Sequence, residues 1–135
     1  MANLLIAENV PDVKDVLVLL FRREGHELRV TDNGDDALSH ALAEPPDLLV
    51  MNPTLPGLDG LDVCRRLRSD PRTQTLPILI LSVHQYPAEK NAAYQAGADD
   101  YLGKPFHPRD LVDRANTLLS RNHPPEQPRP AVTPA

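Results

Sequence analysis

The chain has 135 residues, 41% of them hydrophobic and 24% charged, which is enough for one packed domain and too little for two. Its formal net charge of −5 argues against a general electrostatic hold on nucleic-acid phosphates. One cysteine, Cys64, excludes an internal disulfide, and no apolar run approaches the ~18 residues of a membrane span, so a reducing, cytoplasmic setting is expected, with no membrane insertion and no direct nucleic-acid binding.

Leu4-Leu5-Ile6-Ala7 is a short apolar run without the basic start of a secretory signal, and it reads as a strand ending at Glu8-Asn9. Val13, Val16, Leu17 and Leu20 then recur at helical spacing and mark a first helix. Leu28-Arg29-Val30 gives a second strand, and Thr31-Asp32-Asn33-Gly34 opens a helix around Ala37 to Leu42. Leu48-Leu49-Val50-Met51 is a third strand, apolar throughout, with Asn52 at its end. Leu61, Cys64 and Leu67 form the next helical stripe, where Cys64 is expected as a buried small hydrophobe. A fourth strand at Ile78-Leu79-Ile80-Leu81 leads into Ser82, and a helix over Ala88 to Ala96 closes at Gly97. Asp99-Asp100 reads as a solvated connection to a short fifth strand at Tyr101-Leu102, followed by Lys104 and a last stripe of Leu111, Ala115 and Leu118. The folded domain is placed at residues 1–121. Residues 122–135 carry Pro124, Pro125, Pro128, Pro130 and Pro134 with few large apolar side chains, and read as a disordered tail or linker, or a proline-motif ligand.

Strands alternating with helices, the inner strands apolar on both faces, predict an α/β fold with a parallel sheet covered on both sides. In such an open sheet a site forms at the carboxyl ends of the strands where their order reverses. Glu8, Asn9, Asn52, Ser82 and Lys104 stand at those ends.

Two strings there are recognisable. LLVMNPTLPGLDG over Leu48–Gly60 and AGADDYLGKPF over Ala96–Phe106 resemble the receiver domains of response regulators in two-component signalling, and the likeness extends from Leu4 to Ser120. The resemblance implies a flavodoxin-like, doubly wound five-stranded sheet of order 2-1-3-4-5, and a cis peptide bond before Pro105. In that family an acidic pair after the first strand and an aspartate after the third bind Mg²⁺. That aspartate accepts a phosphoryl group, whose oxygens a Ser or Thr and a Lys then hold. An aromatic on the fifth strand follows the Ser or Thr and alters the face made by the fourth helix, fifth strand and fifth helix. This chain has Ser82, Tyr101 and Lys104 at the last three positions, but Asn52 at the acceptor and Glu8-Asn9 at the acidic pair.

The chemical consequence is independent of the family. The carboxamide of Asn52 is neutral and its nitrogen lone pair is delocalised, so an acyl phosphate cannot form there. Spontaneous conversion to aspartate through a succinimide needs the next backbone N–H, and Pro53 has none. With one carboxylate left, Mg²⁺ binding is expected to be weak or absent, no cofactor is assigned, and Lys104 is expected to reach Glu8 directly or through Asn52. His26, His40, His84, His107 and His123 show no metal-ligand spacing.

The leading reading is therefore a pseudo-receiver, a non-enzymatic protein interaction module without catalytic residues, working with a histidine kinase, an effector or another regulator. Lys90, Tyr94, Asp99, Asp100, Tyr101, Arg109 and Arg114 are the residues expected on its partner face, through which a homodimer could also form. Two alternatives stay open: phosphorylation elsewhere, at Glu8, Ser82 or Thr54, and a flavodoxin-like small-molecule-binding protein. The absence of a glycine-rich phosphate loop after the first strand weighs against the latter.

Overall fold

The computed structural model describes residues 2–122. Strands β1 (Asn3–Ala7), β2 (Glu27–Thr31), β3 (Leu48–Met51), β4 (Ile78–Ser82) and β5 (Asp100–Gly103) alternate with helices α1 (Pro11–Arg23), α2 (Gly34–Ala43), α3 (Gly60–Arg68), α4 (Pro87–Ala96) and α5 (Pro108–Asn122). The strands form one sheet of order β2-β1-β3-β4-β5, all pairs parallel, which is the flavodoxin-like topology. Of the tail expected over 122–135, all but the last residue of α5 lies outside the described residues.

Strand pleating divides the core in two. Leu4, Ile6, Leu48, Val50, Leu79 and Leu81 face α1 and α5, whereas Leu5, Ala7, Leu49, Met51, Ile78 and Ile80 face α2, α3 and α4. All four residues of β3 are at most 1% exposed, so each is worth about 1.5–3 kcal/mol by transfer, an upper bound. Cys64 lies fully buried on α3, and Leu111, Ala115 and Leu118 face the core as the periodicity predicts.

Helix α1 corrects one expectation. Its buried stripe is Leu17 and Phe21, one turn apart, flanked by half-buried Val13, Val18 and Leu20, while Val16 is 42% exposed. The segment is apolar at every position from Val16 to Phe21, so periodicity alone does not identify its inner face.

Candidate functional site

The strand order reverses between β1 and β3, and the crevice there opens at the carboxyl ends of the strands. Asn52 continues the β3 ladder by donating its N–H to the Ala7 carbonyl at 2.9 Å, and Lys104 continues β5 with N–H to the Ser82 carbonyl at 2.8 Å. Parallel pairing thus delivers Glu8, Asn52, Ser82 and Lys104 to one edge. The loop after Asn52 is shaped by glycine at two places. Gly57 turns at φ +74°, and a Cβ on Gly60 would lie 2.7 Å from the Asn52 carbonyl oxygen, so α3 can start this close to the site only with glycine.

Glu8 is 1% exposed and its carboxylate is fully engaged. Oε1 accepts from Lys104 Nζ at 2.7 Å. Oε2 accepts from the backbone N–H groups of Asn9 and Val10, both at 3.1 Å, and from Asn52 Nδ2 at 2.9 Å. Helix α1 has no side-chain cap on Val10, so the Glu8 carboxylate serves the N–H groups that lead into it. At 2.7 Å and an effective dielectric near 20, the ion pair holds about 6 kcal/mol of Coulomb attraction before desolvation.

The Asn52 amide is oriented by its neighbours. Nδ2 donates to Glu8 Oε2 and, at 3.2 Å, to Asn9 Oδ1, while Oδ1 accepts from the Thr54 N–H at 3.0 Å. The reversed assignment would set the amide oxygen against two acceptor oxygens. Ser82 is buried, and its Oγ accepts from the His84 N–H at 3.0 Å. A cavity of about 220 Å³ lies over Asn9, Asn52, Thr54, Ser82 and Lys104, and a smaller one of about 160 Å³ adjoins it between Thr54, Ser82, Ala92 and Tyr101.

These donors do not fit a magnesium ion. Mg²⁺ takes octahedral oxygen ligation with anionic partners, but among the described residues Glu8 is the one carboxylate bonded to Asn52, its Oε1 is neutralised by Lys104, and Asn52 turns its nitrogen inward. Among the described residues no group of three or more His, Cys, Asp or Glu side chains converges as a metal site.

The expected partner face is corrected at two positions. Tyr101 is 5% exposed, because its ring turns inward beside α4 and its hydroxyl donates to the His84 carbonyl, so in this conformer its ring is not part of the surface. Asp99 is part-buried and tied to the chain at the opposite end of β5. Its Oδ2 accepts from Arg68 at 2.9 Å and from the Ile78 N–H at 2.8 Å. Asp100 also departs from the solvated reading, since Arg114 binds it at 2.8 Å and Asp110 at 3.0 Å. These bonds, that to Asp110 foremost, hold the Arg114 guanidinium above its ordinary pKa. Tyr94 is 45% exposed; burial of its ring and the neighbouring Asp100 raise its phenol pKa. Lys90 is half-buried on α4 and Arg109 is exposed at the start of α5. The Lys104–Pro105 peptide bond is cis.

Sequence reasoning missed the Arg68 clamp, in which the guanidinium also binds the carbonyls of Gly97 and Thr73. Its partners lie up to 31 residues away, and no local pattern signals them.

The Response regulator receiver domain family matches residues 4–116. The alkaline phosphatase synthesis transcriptional regulatory protein SphR of Synechococcus elongatus is 36% identical over 99% of this chain and 53% of its own length. The DNA-binding response regulator MtrA of Mycolicibacterium smegmatis is 35% identical over 89% of this chain and 51% of its own. The chain thus spans about half the length of these relatives. Among solved structures, a candidate response regulator from Chloroflexus aurantiacus superposes with a TM-score of 0.85 at 41% identity, covering 89% of this chain and 98% of that one. The receiver domain of sensor histidine kinase PA1611 from Pseudomonas aeruginosa, solved with a magnesium ion in its active-site cleft, gives 0.83 at 26% identity, over 88% of this chain and 98% of that one.

Proposed function

The chain belongs to the response regulator receiver domain family, and on that premise we propose that it is a receiver that takes no phosphoryl group at residue 52 and acts through protein contacts. The Asn52 carboxamide carries this reading. It is neutral, it donates to Glu8 and Asn9, and its oxygen is bound by the Thr54 N–H. No anionic oxygen faces the cavity from the position where the family keeps its acceptor.

The alternative acceptors differ in access. Glu8 and Ser82 are each 1% exposed, and four donors surround the Glu8 carboxylate. Thr54 is exposed, which leaves it as the hydroxyl a separate kinase could reach. The small-molecule reading loses support from the lack of a glycine-rich phosphate loop between β1 and α1, where the chain reads Glu8-Asn9-Val10-Pro11.

With Tyr101 turned inward and its hydroxyl on the His84 carbonyl, the β4–α4 loop is tied to β5, and Lys90, Tyr94 and Arg109 are left as surface. A histidine kinase, effector domain or other regulator that prefers this conformer would bind it without chemistry at the crevice, and a partner preferring the other would shift the population. The test is backbone NMR of the protein with and without beryllofluoride and Mg²⁺. The amides of Asn52, Thr54, Val83, His84 and Lys104 are expected to stay in place, and a saturable displacement of them overturns the proposal.

A further inference from the structure

The layer of helices over β1 and β2 stops short of the sheet edge. β2 is an outermost strand and pairs with β1. Leu28 is partly covered by the α1 side of the core, but Val30, two residues on and on the same face, is 41% exposed. Leu19, on the adjoining side of α1, is 57% exposed. Together with Val18 they floor a groove of about 440 Å³ whose rim holds Lys14, Arg22 and Arg23 against a single acid, Asp15.

The rim is locally cationic although the chain carries a net charge of −5. Arg65, Arg68, Arg72, Lys104, Arg114 and Arg121 are bound in ion pairs, whereas Lys14, Arg22 and Arg23, like Arg29, Arg66, Lys90 and Arg109, take part in none among the described residues, and the groove rim gathers three of these open cations in one place. The helix dipole accounts for Arg22 and Arg23 in the last turn of α1, but it disfavours a cation at Lys14 in the first turn. Three unpaired cations around an aliphatic floor are complementary to carboxylates around an apolar side chain.

We propose that this groove docks a short acidic amphipathic helix of a partner protein, its large apolar side chains on Val18, Leu19 and Val30 and its carboxylates opposite Lys14, Arg22 and Arg23. From Lys14 to Arg23 the helix axis advances about 14 Å, which matches two to three turns of such a partner. Nucleic acid fits the groove less well, because phosphates gain nothing from an aliphatic floor and the whole molecule repels them. The groove lies at the opposite edge of the sheet from β5, so it is a second surface, separate from the face considered above.

The test is an NMR titration of the full chain with a capped peptide of glutamates and leucines in helical alternation, beside the same peptide with lysine for every glutamate. The acidic peptide should shift the amides of Val18, Leu19, Arg22 and Val30, and lose about tenfold in affinity with Leu19→Glu or with Arg22→Glu and Arg23→Glu together. Both changes are at exposed positions and should leave the fold intact. Equal binding of the lysine peptide, shifts that map elsewhere, or none at all, overturn the proposal. So does a short DNA duplex that reproduces the acidic peptide's shifts. A dimer seen by light scattering and abolished by Leu19→Glu would give the groove to a second copy of the chain and likewise overturn it.

Discussion

Replacing Asn52 by aspartate tests the electrostatics of the crevice directly. In the present structure Asn52 Nδ2 lies 2.9 Å from Glu8 Oε2 and donates to it. Asn52→Asp removes that donor and sets a second carboxylate against the first. At 2.9 Å and an effective dielectric near 20 the bare repulsion is about 6 kcal/mol. Rotation of the new side chain and a shared Lys104 ammonium relieve part of it, and the loss of a hydrogen bond to a charged group contributes about 1.5–3 kcal/mol. The expected net destabilisation at pH 7 is about 2–3 kcal/mol, or roughly 6–12 °C in Tm for a domain of this size. The sign with pH follows. The neighbouring Glu8 raises the introduced acid above its ordinary value near ~3.9, so the deficit is small below that pH and grows as pH rises through the carboxylate range. Urea denaturation of both proteins at pH 3.5 and pH 7, in EDTA, provides the comparison. A variant at least as stable as the parent at pH 7 would refute the reasoning.

Other expectations follow from the same geometry and from two titratable groups, one buried and one part-buried. Glu8→Gln or Lys104→Met alone should cost about 3–5 kcal/mol by stranding a buried charge, and the double change clearly less than their sum, as read by a double-mutant cycle in urea. Burial pushes the Cys64 thiol up from 9.0 to about 12, so a thiol reagent at pH 8 should label it only on unfolding. Because that folded value is raised, its contribution to stability is whole below pH 9 and is lost as pH climbs toward 12, and Cys64→Ala should lack this component. Burial lowers the pKa of His26 from 6.5, against the opposing pull of Glu24 and Asp47, and the Ala2 N–H donates to its Nδ1. Its contribution is present above pH 6.5 and lost as pH falls below it, so thermal melts at pH 7.5 and 5 should diverge less for His26→Gln than for the parent.

The sheet was legible in the sequence because burial on both faces leaves an unambiguous mark. Leu48–Met51 and Ile78–Leu81 have no polar position, are rich in aliphatic side chains and are only four residues long between turn signals, which together fit central parallel strands rather than helices. The crevice was legible for a geometric reason, since parallel strands carry Glu8, Asn52, Ser82 and Lys104 to a common edge whatever their spacing in the chain. Side-chain placement was less so. Tyr101 has the same sequence whether its ring points out or in, and the His84 carbonyl that holds it becomes a neighbour only after β4 and β5 pair. Asp99 and Asp100 look alike as a doublet, yet pleating sends one to Arg68 and the other to Arg114. Helix α1 hid its inner face because Val16 through Phe21 offer apolar side chains in every direction, and the surplus is what forms the groove beside β2.

Intact mass spectrometry at neutral pH after incubation with acetyl phosphate and Mg²⁺ puts the central claim to the most direct trial. The account predicts an unchanged mass for the parent chain over a time course that fully labels a receiver with an aspartate acceptor. A stoichiometric gain of one phosphoryl group, mapped to Asn52 or to Glu8, would contradict it.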